Sequence, residues 1–464
     1  MTVAKHSVWV TSSLLIVRLI LLKESLAVAA AQPDIQAGVA VVDITPARNG
    51  EPFFDPLFAK AVVFRQAERK AALVMCDLVQ VSKETTEKVR KKAAQQLGIP
   101  EENLILSATH NHNGRSAADD LVERIVRAVA QADALAKPVR LEAGLAQQEE
   151  TISFNRRYLM KDGTVRFNPG PLNPDIVRPV GPIDPEVGIL LIRAASDGRP
   201  LASIVNFALH ACTVGRGGIS ADYPFSLERS LKGELGPEFV SIYVPGACGD
   251  VNHFDVSRPR PGMTVFQGQT LLTPYVPMKT DKSPTPLDHL YIGESLAKTV
   301  KAAMPGLKSV DRPSLAVRRQ IVNLPLATYS EMDLAWAKET VQKPISFLAG
   351  VRARRILSLE EMRRQGDTIP IEVQAIRLGH DTAIVAMPGE LFVELGLVLK
   401  KGSPFRNTLV VELSGTGRIA YVPTRKAFVE GGYEVINSRL ELGGGEKMLE
   451  TALDILDELK AELN

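Results

Sequence analysis

The stretch Asn103-Leu-Ile-Leu-Ser-Ala-Thr-His-Asn-His-Asn-Gly114 sets the reading of the whole chain. Asn103 to Ala108 is short and apolar, the pattern of a buried strand. It runs into His110-Asn111-His112. Residues i and i+2 of an extended segment face the same side, so both imidazoles can point to one place just past the strand end, where the sites of α/β proteins collect. Upstream, Gly38 to Ile44, Lys60 to Phe64 and Lys70 to Met75 read as strands, and Ser82 to Leu97 has helical spacing. Downstream, Leu121 to Ala134 repeats apolar residues every three to four positions, and Gly188 to Arg193 and Leu201 to Leu209 are apolar strands around the turn Ser196-Asp197-Gly198. Such alternation predicts an α/β fold, a layered mixed β-sheet flanked by helices.

The rest of the chain continues the pattern. Tyr291 to Ala303, Tyr329 to Thr340 and Leu391 to Lys400 read as helices, and Glu446 to Leu463 as an amphipathic closing helix. Ile371 to Leu378 and Thr382 to Met387 form a predicted hairpin about Gly379-His380-Asp381, and Thr408 to Leu413 a strand. Ser257 to Pro286 holds six prolines and little periodicity, which predicts a long surface loop. There is no internal repeat and no linker, so residues 32–464 are expected to form a single large domain.

Of 464 residues, 55 are Lys or Arg and 53 Asp or Glu, with 45% hydrophobic. These proportions exclude a disordered chain, a coiled coil and a disulfide scaffold. Residues 1–31 carry Lys5, Arg18 and Lys23 against Glu24, which leaves 52 charges of each sign in the body. A body without excess positive charge argues against nucleic acid as a partner. Val8 to Leu22 is mostly apolar but broken by Arg18, and Ala27-Val28-Ala29 or Ala29-Ala30-Ala31 offers small residues for cleavage. Residues 1–31 therefore read as a signal peptide that exports the protein, an uncleaved anchor being the competing reading. Cys76, Cys212 and Cys248 allow at most one disulfide, so the fold must rest on its core; they read as small buried apolar residues, a metal role for Cys212, two residues after His210, and Cys248, in a Gly-rich loop, being the alternative.

Apart from His6 in the leader, six histidines remain. His210 repeats the pattern of His110, an apolar strand delivering a histidine before a Gly-rich turn at Val214 to Gly218. Two strands that each end in histidine, in a chain poor in that residue, point to a metal, and neutral imidazole is the commonest metal ligand.

The block Ser107 to Gly114 (SATHNHNG) resembles the S-A-T-H-T-H-S-G segment of neutral/alkaline, non-lysosomal ceramidases. Further blocks follow in the family's order. Phe154-Asn155-Arg156 resembles its I-N-R segment, Asn206 to His210 its F-A-T-H strand, and Ser220-Ala221-Asp222 its S-D-N. Gly249-Asp250-Val251 resembles the start of G-D-V-S-P-N, Pro388-Gly389-Glu390 the P-G-E before a helix, and Tyr421 to Glu434 the Y-x-T…Y-E region.

The resemblance implies the fold of that family's catalytic domain, without its immunoglobulin-like C-terminal domain. It also implies a zinc ion held by His110, His210, Glu390 and Tyr421. Around the scissile group it places His112 as the proton-moving residue, with Arg156 and Tyr433 donating hydrogen bonds to the oxyanion. The implied activity is zinc-dependent hydrolysis of an N-acyl amide by activated water, on a small-molecule or lipid substrate (ceramide among them), with peripheral membrane contact.

Three departures bound this expectation. Asn252 stands where the family has serine, which excludes a serine nucleophile there. The chain ends at Asn464, and only 5% of residues are aromatic, so the family's apolar pocket segments are not recognisable. A zinc hydrolase of an ester or a carbohydrate linkage, and a non-catalytic envelope protein of the same fold, stay open as alternatives. Oligomeric state is not legible.

Overall fold

Two β-sheets packed face to face carry the architecture. The structure is a computed structural model describing residues 34–463, apart from 48–49, 51, 115–116, 215–217, 258–264, 267–268, 271–287, 344 and 416–418. The leader at 1–31 and most of the proline-rich segment at 257–286 therefore lie outside the described residues. Residues from Ile35 to Asn464 form one compact unit.

The large sheet is built from β1 (Gln36–Asp43), β2 (Phe58–Gln66), β3 (Arg69–Cys76), β4 (Leu104–Ala108), β5 (Lys137–Gln147), β6 (Glu186–Ala194), β7 (Pro200–Phe207) and β8 (Val240–Pro245). Their spatial order is β8-β7-β6-β5-β1-β2-β3-β4, with Lys308–Ser309 added beside β5. The outer pairs β7·β8 and β3·β4 are parallel and the inner ones antiparallel, so the sheet is mixed as expected. The small sheet runs β9 (Ala316–Pro325), β10 (Thr368–Arg377), β11 (Thr382–Ala386) and β12 (Asn407–Val411), the last pair parallel.

Helices cover both outer faces. On one half of the large sheet lie α1 (Lys83–Leu97) and α2 (Leu121–Ala134), whose Val89, Ala93, Ile125 and Val129 pack under Val63 and Val74. On its other half lie α3 (Asp222–Leu235) and α4 (His289–Ala303), packing Leu227, Leu231, Leu296 and Val300 against Ile189, Leu191 and Val205. Between the sheets, Phe64, Leu73, Ile105, Leu190 and Ile204 meet Ile376, Ile384, Leu409 and Val411. Each such buried side chain contributes about 1.5–3 kcal/mol of transfer free energy.

Five further elements follow: α5 (Glu331–Thr340), α6 (Phe347–Arg363), α7 (Val393–Gly402), the short α8 (Arg425–Glu430) and α9 (Tyr433–Asn437), before the closing α10 (Gly444–Ala461). The outer face of the small sheet is sealed by α10 and α7 through Met448, Ile455, Leu456 and Leu399. The result is a four-layer α/β/β/α sandwich.

Elements with strong periodicity lie where expected. Neither Lys137–Gln147, which alternates apolar and charged residues from Val139 to Ala143, nor Ala316–Pro325, broken by Arg318-Arg319-Gln320, is among the strands expected from sequence. Their exposed faces explain it: β9 shows only its two ends buried near Ala316 and Leu324. Helix α6 carries arginines on both sides and α3 contains Pro224 in its first turn, which masks both.

Candidate metal centre

The two histidine-bearing segments follow β4 and β7, which lie toward opposite edges of the large sheet, and they meet beyond the strand ends. β4 stops at Ala108, and His110 adopts a left-handed backbone, φ 58°. That conformation costs a non-glycine residue about 1 kcal/mol or more and persists because surrounding contacts hold it. Asn111 provides several: its amide donates to the carbonyls of Asp77 and Ser220. His112 is tied by its backbone N–H to the carbonyl of Ala211, one residue after His210. The three rings are consequently in contact, with centroids 4.4 Å apart for His110 and His210, 4.9 Å for His110 and His112, and 5.8 Å for His112 and His210. Their ligand nitrogens lie within 4.8 Å of one another, as a metal cluster requires.

The small-sheet side supplies the rest. Glu390 and Tyr421 are register partners in a two-residue parallel ribbon, Glu390–Leu391 with Tyr421–Val422. Each is preceded by a left-handed residue, Gly389 (φ 85°) and Ala420 (φ 53°). Glu390 Oε2 stands 3.2 Å from His210 Nε2 and 3.3 Å from His110 Nε2. A side chain at Gly249 would collide with the Glu390 carbonyl at 2.4 Å, so the absence of Cβ there lets the Gly249 loop close onto the carboxylate's strand.

Hydrogen bonds to the outer ring nitrogens fix the tautomers. His110 Nδ1 meets the Val79 carbonyl at 3.0 Å and His210 Nδ1 the Cys248 carbonyl at 2.7 Å. A carbonyl can only accept, so both Nδ1 atoms carry a proton and both Nε2 atoms are turned toward Glu390. His110 Nε2 has no hydrogen-bond partner among the described residues. Two Nε2 atoms, one carboxylate and Nδ1 atoms anchored on carbonyls make a donor set that fits zinc.

Burial and the Arg156 charge push His210 down to about 3. Burial and the neighbouring imidazoles likewise hold His112 well below the ordinary histidine range, so it is neutral at pH 7. For Glu390 burial opposes ionisation, but the two imidazoles outweigh it and keep its carboxyl well below the usual carboxylate range.

Arg156 is buried at the centre of the remaining contacts. Its Nε donates to Glu434 Oε1 at 2.9 Å and its Nη2 to the Gly249 carbonyl at 2.7 Å and the Tyr421 hydroxyl at 3.0 Å. Its Nη1 lies 3.2 Å from His210 Nε2. Its Nε and Nη2 are thus committed within the protein, and the guanidinium orients Tyr421. Tyr433 lies outside it, its ring 5.5 Å from Tyr421, 4.7 Å from Phe167 and 5.5 Å from Phe347, which is 57% exposed. All seven residues singled out in the sequence thus belong to one connected cluster.

Several participants carry no role in the sequence reading. Glu434, fully buried, pairs with Arg156. Asp250 accepts from Asn155 Nδ2 and the Val393 N–H, both at 2.8 Å, while its carbonyl accepts the Arg156 N–H; burial raises its carboxyl to about 6. Glu412 sits behind the cluster, raised by burial to about 7. Only its position, a charge ending the apolar run Thr408 to Val411, could have drawn notice. Asn252, in place of the family's serine, is held by Asn168 at 3.0 Å, and His253 Nδ1 faces Cys212 Sγ at 3.7 Å. All three cysteines are free thiols.

No family model matches the sequence, and no curated protein matches it. Among solved structures, neutral ceramidase from Pseudomonas aeruginosa superposes with a TM-score of 0.66 at 17% identity, over 93% of this chain and 75% of that one. A ceramidase complexed with C2 gives 0.65 at 16% identity, over 93% and 76%. The four-layer sandwich, with the histidine cluster at the ends of its strands, is therefore the fold of neutral ceramidase.

Proposed function

We propose that the chain is a zinc-dependent hydrolase of N-acyl amides, with His110, His210, Glu390 and Tyr421 as the metal ligands. The observation that carries this reading is the convergence of two Nε2 atoms on one carboxylate, each ring anchored through Nδ1 to a backbone carbonyl. When bound, zinc supplies Lewis acidity, polarising a carbonyl and acidifying water.

The chain's own groups do the remaining work. His112 is neutral and beside the cluster, so it accepts a proton from the attacking water and returns one to the leaving amine. The Tyr433 hydroxyl, its pKa raised by burial and by the Glu390 charge, stays protonated and donates a hydrogen bond to the carbonyl oxygen as charge develops there. Arg156 holds Tyr421 in place and is itself held by Glu434. Ile345, Phe347 and Leu348, all exposed beside Tyr433's stack, offer the apolar flank that a lipid amide would need. The same proposal includes export through residues 1–31, the domain at 32–464 and peripheral contact with a membrane.

The test is metal analysis of the purified protein together with turnover of a graded set of N-acyl amides. One equivalent of zinc that is lost with activity in His110→Ala supports the reading. Less than about a tenth of an equivalent, or amide turnover unchanged in His110→Ala, rejects it. Ester and glycoside substrates in the same panel separate the other bond classes.

A further inference from the structure

β12 ends at Val411, and the next four residues, Glu412-Leu-Ser-Gly415, reach three separate segments through four successive backbone N–H groups. Glu412 N–H donates to the Pro245 carbonyl, Leu413 N–H to Gly389, Ser414 N–H to Met387 and Gly415 N–H to Leu106, all at 3.1–3.2 Å. Leu413 takes a left-handed φ of 60° to make this possible. The acceptors lie just before His110 and Glu390 in sequence, or at the end of β8 ahead of the Cys248 loop.

The Glu412 side chain closes the same arrangement. It is fully buried. Oε2 accepts the N–H groups of Cys248 and Leu391, each at 3.2 Å, and Oε1 accepts the Cys248 thiol at 2.9 Å. Its carbonyl accepts the Ser107 hydroxyl at 2.7 Å. Cys248 is the residue whose carbonyl orients His210, Leu391 follows Glu390, and Ser107 lies on the strand that delivers His110. An apolar side chain here would leave two buried N–H groups unpaired, at about 1–3 kcal/mol each, and would cut the side-chain link between the Cys248 and Leu391 segments, leaving the strand of Ser107 held by the backbone alone.

We propose that Glu412 is a positioning residue that sets His110, His210 and Glu390 at their mutual spacing by clamping the three segments behind them. The proposal rests on the reading that those three side chains hold a metal. Hydrogen bonding is its means: in Glu412→Gln one amide oxygen at the Oε2 place still accepts both N–H groups, while the amide nitrogen faces the Cys248 sulfur. Groups that orient ligands from behind typically change metal affinity by about 10–100-fold when removed.

The experiment measures zinc affinity by chelator competition and the visible absorption of the cobalt-substituted protein, with denaturant unfolding as the control for folding. Glu412→Gln is expected within about threefold of wild type, and Glu412→Ala about 10–100-fold weaker with an altered cobalt spectrum. Should Glu412→Ala fail to fold, Glu412→Asp, which withdraws the same carboxylate by one methylene, is expected to bind at least about tenfold more weakly. A folded Ala or Asp variant with wild-type affinity and spectrum overturns the proposal, as does a Gln variant as weak as Ala. If the wild-type protein itself takes up neither zinc nor cobalt, the metal reading fails and the proposal falls with it.

Discussion

Glu390 and Tyr421 face each other across a parallel ribbon two residues long, and each is introduced by a left-handed residue, Gly389 and Ala420. At Gly389 a Cβ would lie 2.8 Å from the Ala420 carbonyl oxygen. Gly389→Ala is expected to cost about 1–3 kcal/mol and to weaken metal binding, because it pushes the two strands apart. Ala420→Gly relieves strain while adding chain entropy, so its stability should stay within about 1 kcal/mol of wild type. Denaturant unfolding of both variants checks the pair.

Arg156 and Glu434 form a buried pair whose partners do not tolerate being left alone. Arg156→Ala should destabilise the protein by about 3–5 kcal/mol, since among the described residues the Glu434 carboxylate then keeps one cationic partner, Arg157 Nε at 3.6 Å. In Arg156→Ala/Glu434→Gln much of that loss should return. A double-mutant cycle by urea denaturation measures the coupling, and additive losses would refute it.

Asp77, behind the His110 segment, offers a pH test. Burial raises its carboxyl to about 7, against the lowering effect of Lys60. The folded protein then binds more protons at this site than the unfolded chain between about pH 4 and 7, so Asp77 lowers stability as pH rises through that window. Asn at this position keeps the acceptor for the Phe58 N–H and can donate to Thr109 Oγ1. Relative to wild type, Asp77→Asn should therefore gain about 1 kcal/mol per pH unit across that range. Parallel unfolding curves at pH 5, 6, 7 and 8 read the slope.

Phe347 stacks on Tyr433 from the solvent side, and its neighbours Ile345 and Leu348 are exposed. Phe347→Ala should raise KM for a long-chain N-acyl amide by about tenfold, from some 1–2 kcal/mol of lost apolar contact. The N-acetyl analogue should be unaffected. Equal losses on both substrates would assign Phe347 to packing alone.

Much of the layering was legible because Ala61 to Phe64, Ala71 to Met75 and Leu104 to Leu106 are buried on both faces and read as unbroken apolar runs. Two sheets instead of one were not, since β9 shows solvent a charged face and gives no alternation. His110 and His210 could be found because strand ends followed by histidine are unusual in so histidine-poor a chain. Glu434, Asp250 and Glu412 could not: a buried carboxylate has the same letter as an exposed one, and only tertiary packing tells them apart.

The cluster sits where the two sheets meet, and its members come from opposite ends of the polypeptide: Glu390 lies 180 positions after His210. No nascent fragment lacking the last quarter of the chain can assemble the full set. If the proposed site takes an ion, the complete donor set for it therefore forms only after the last quarter of the chain has been made.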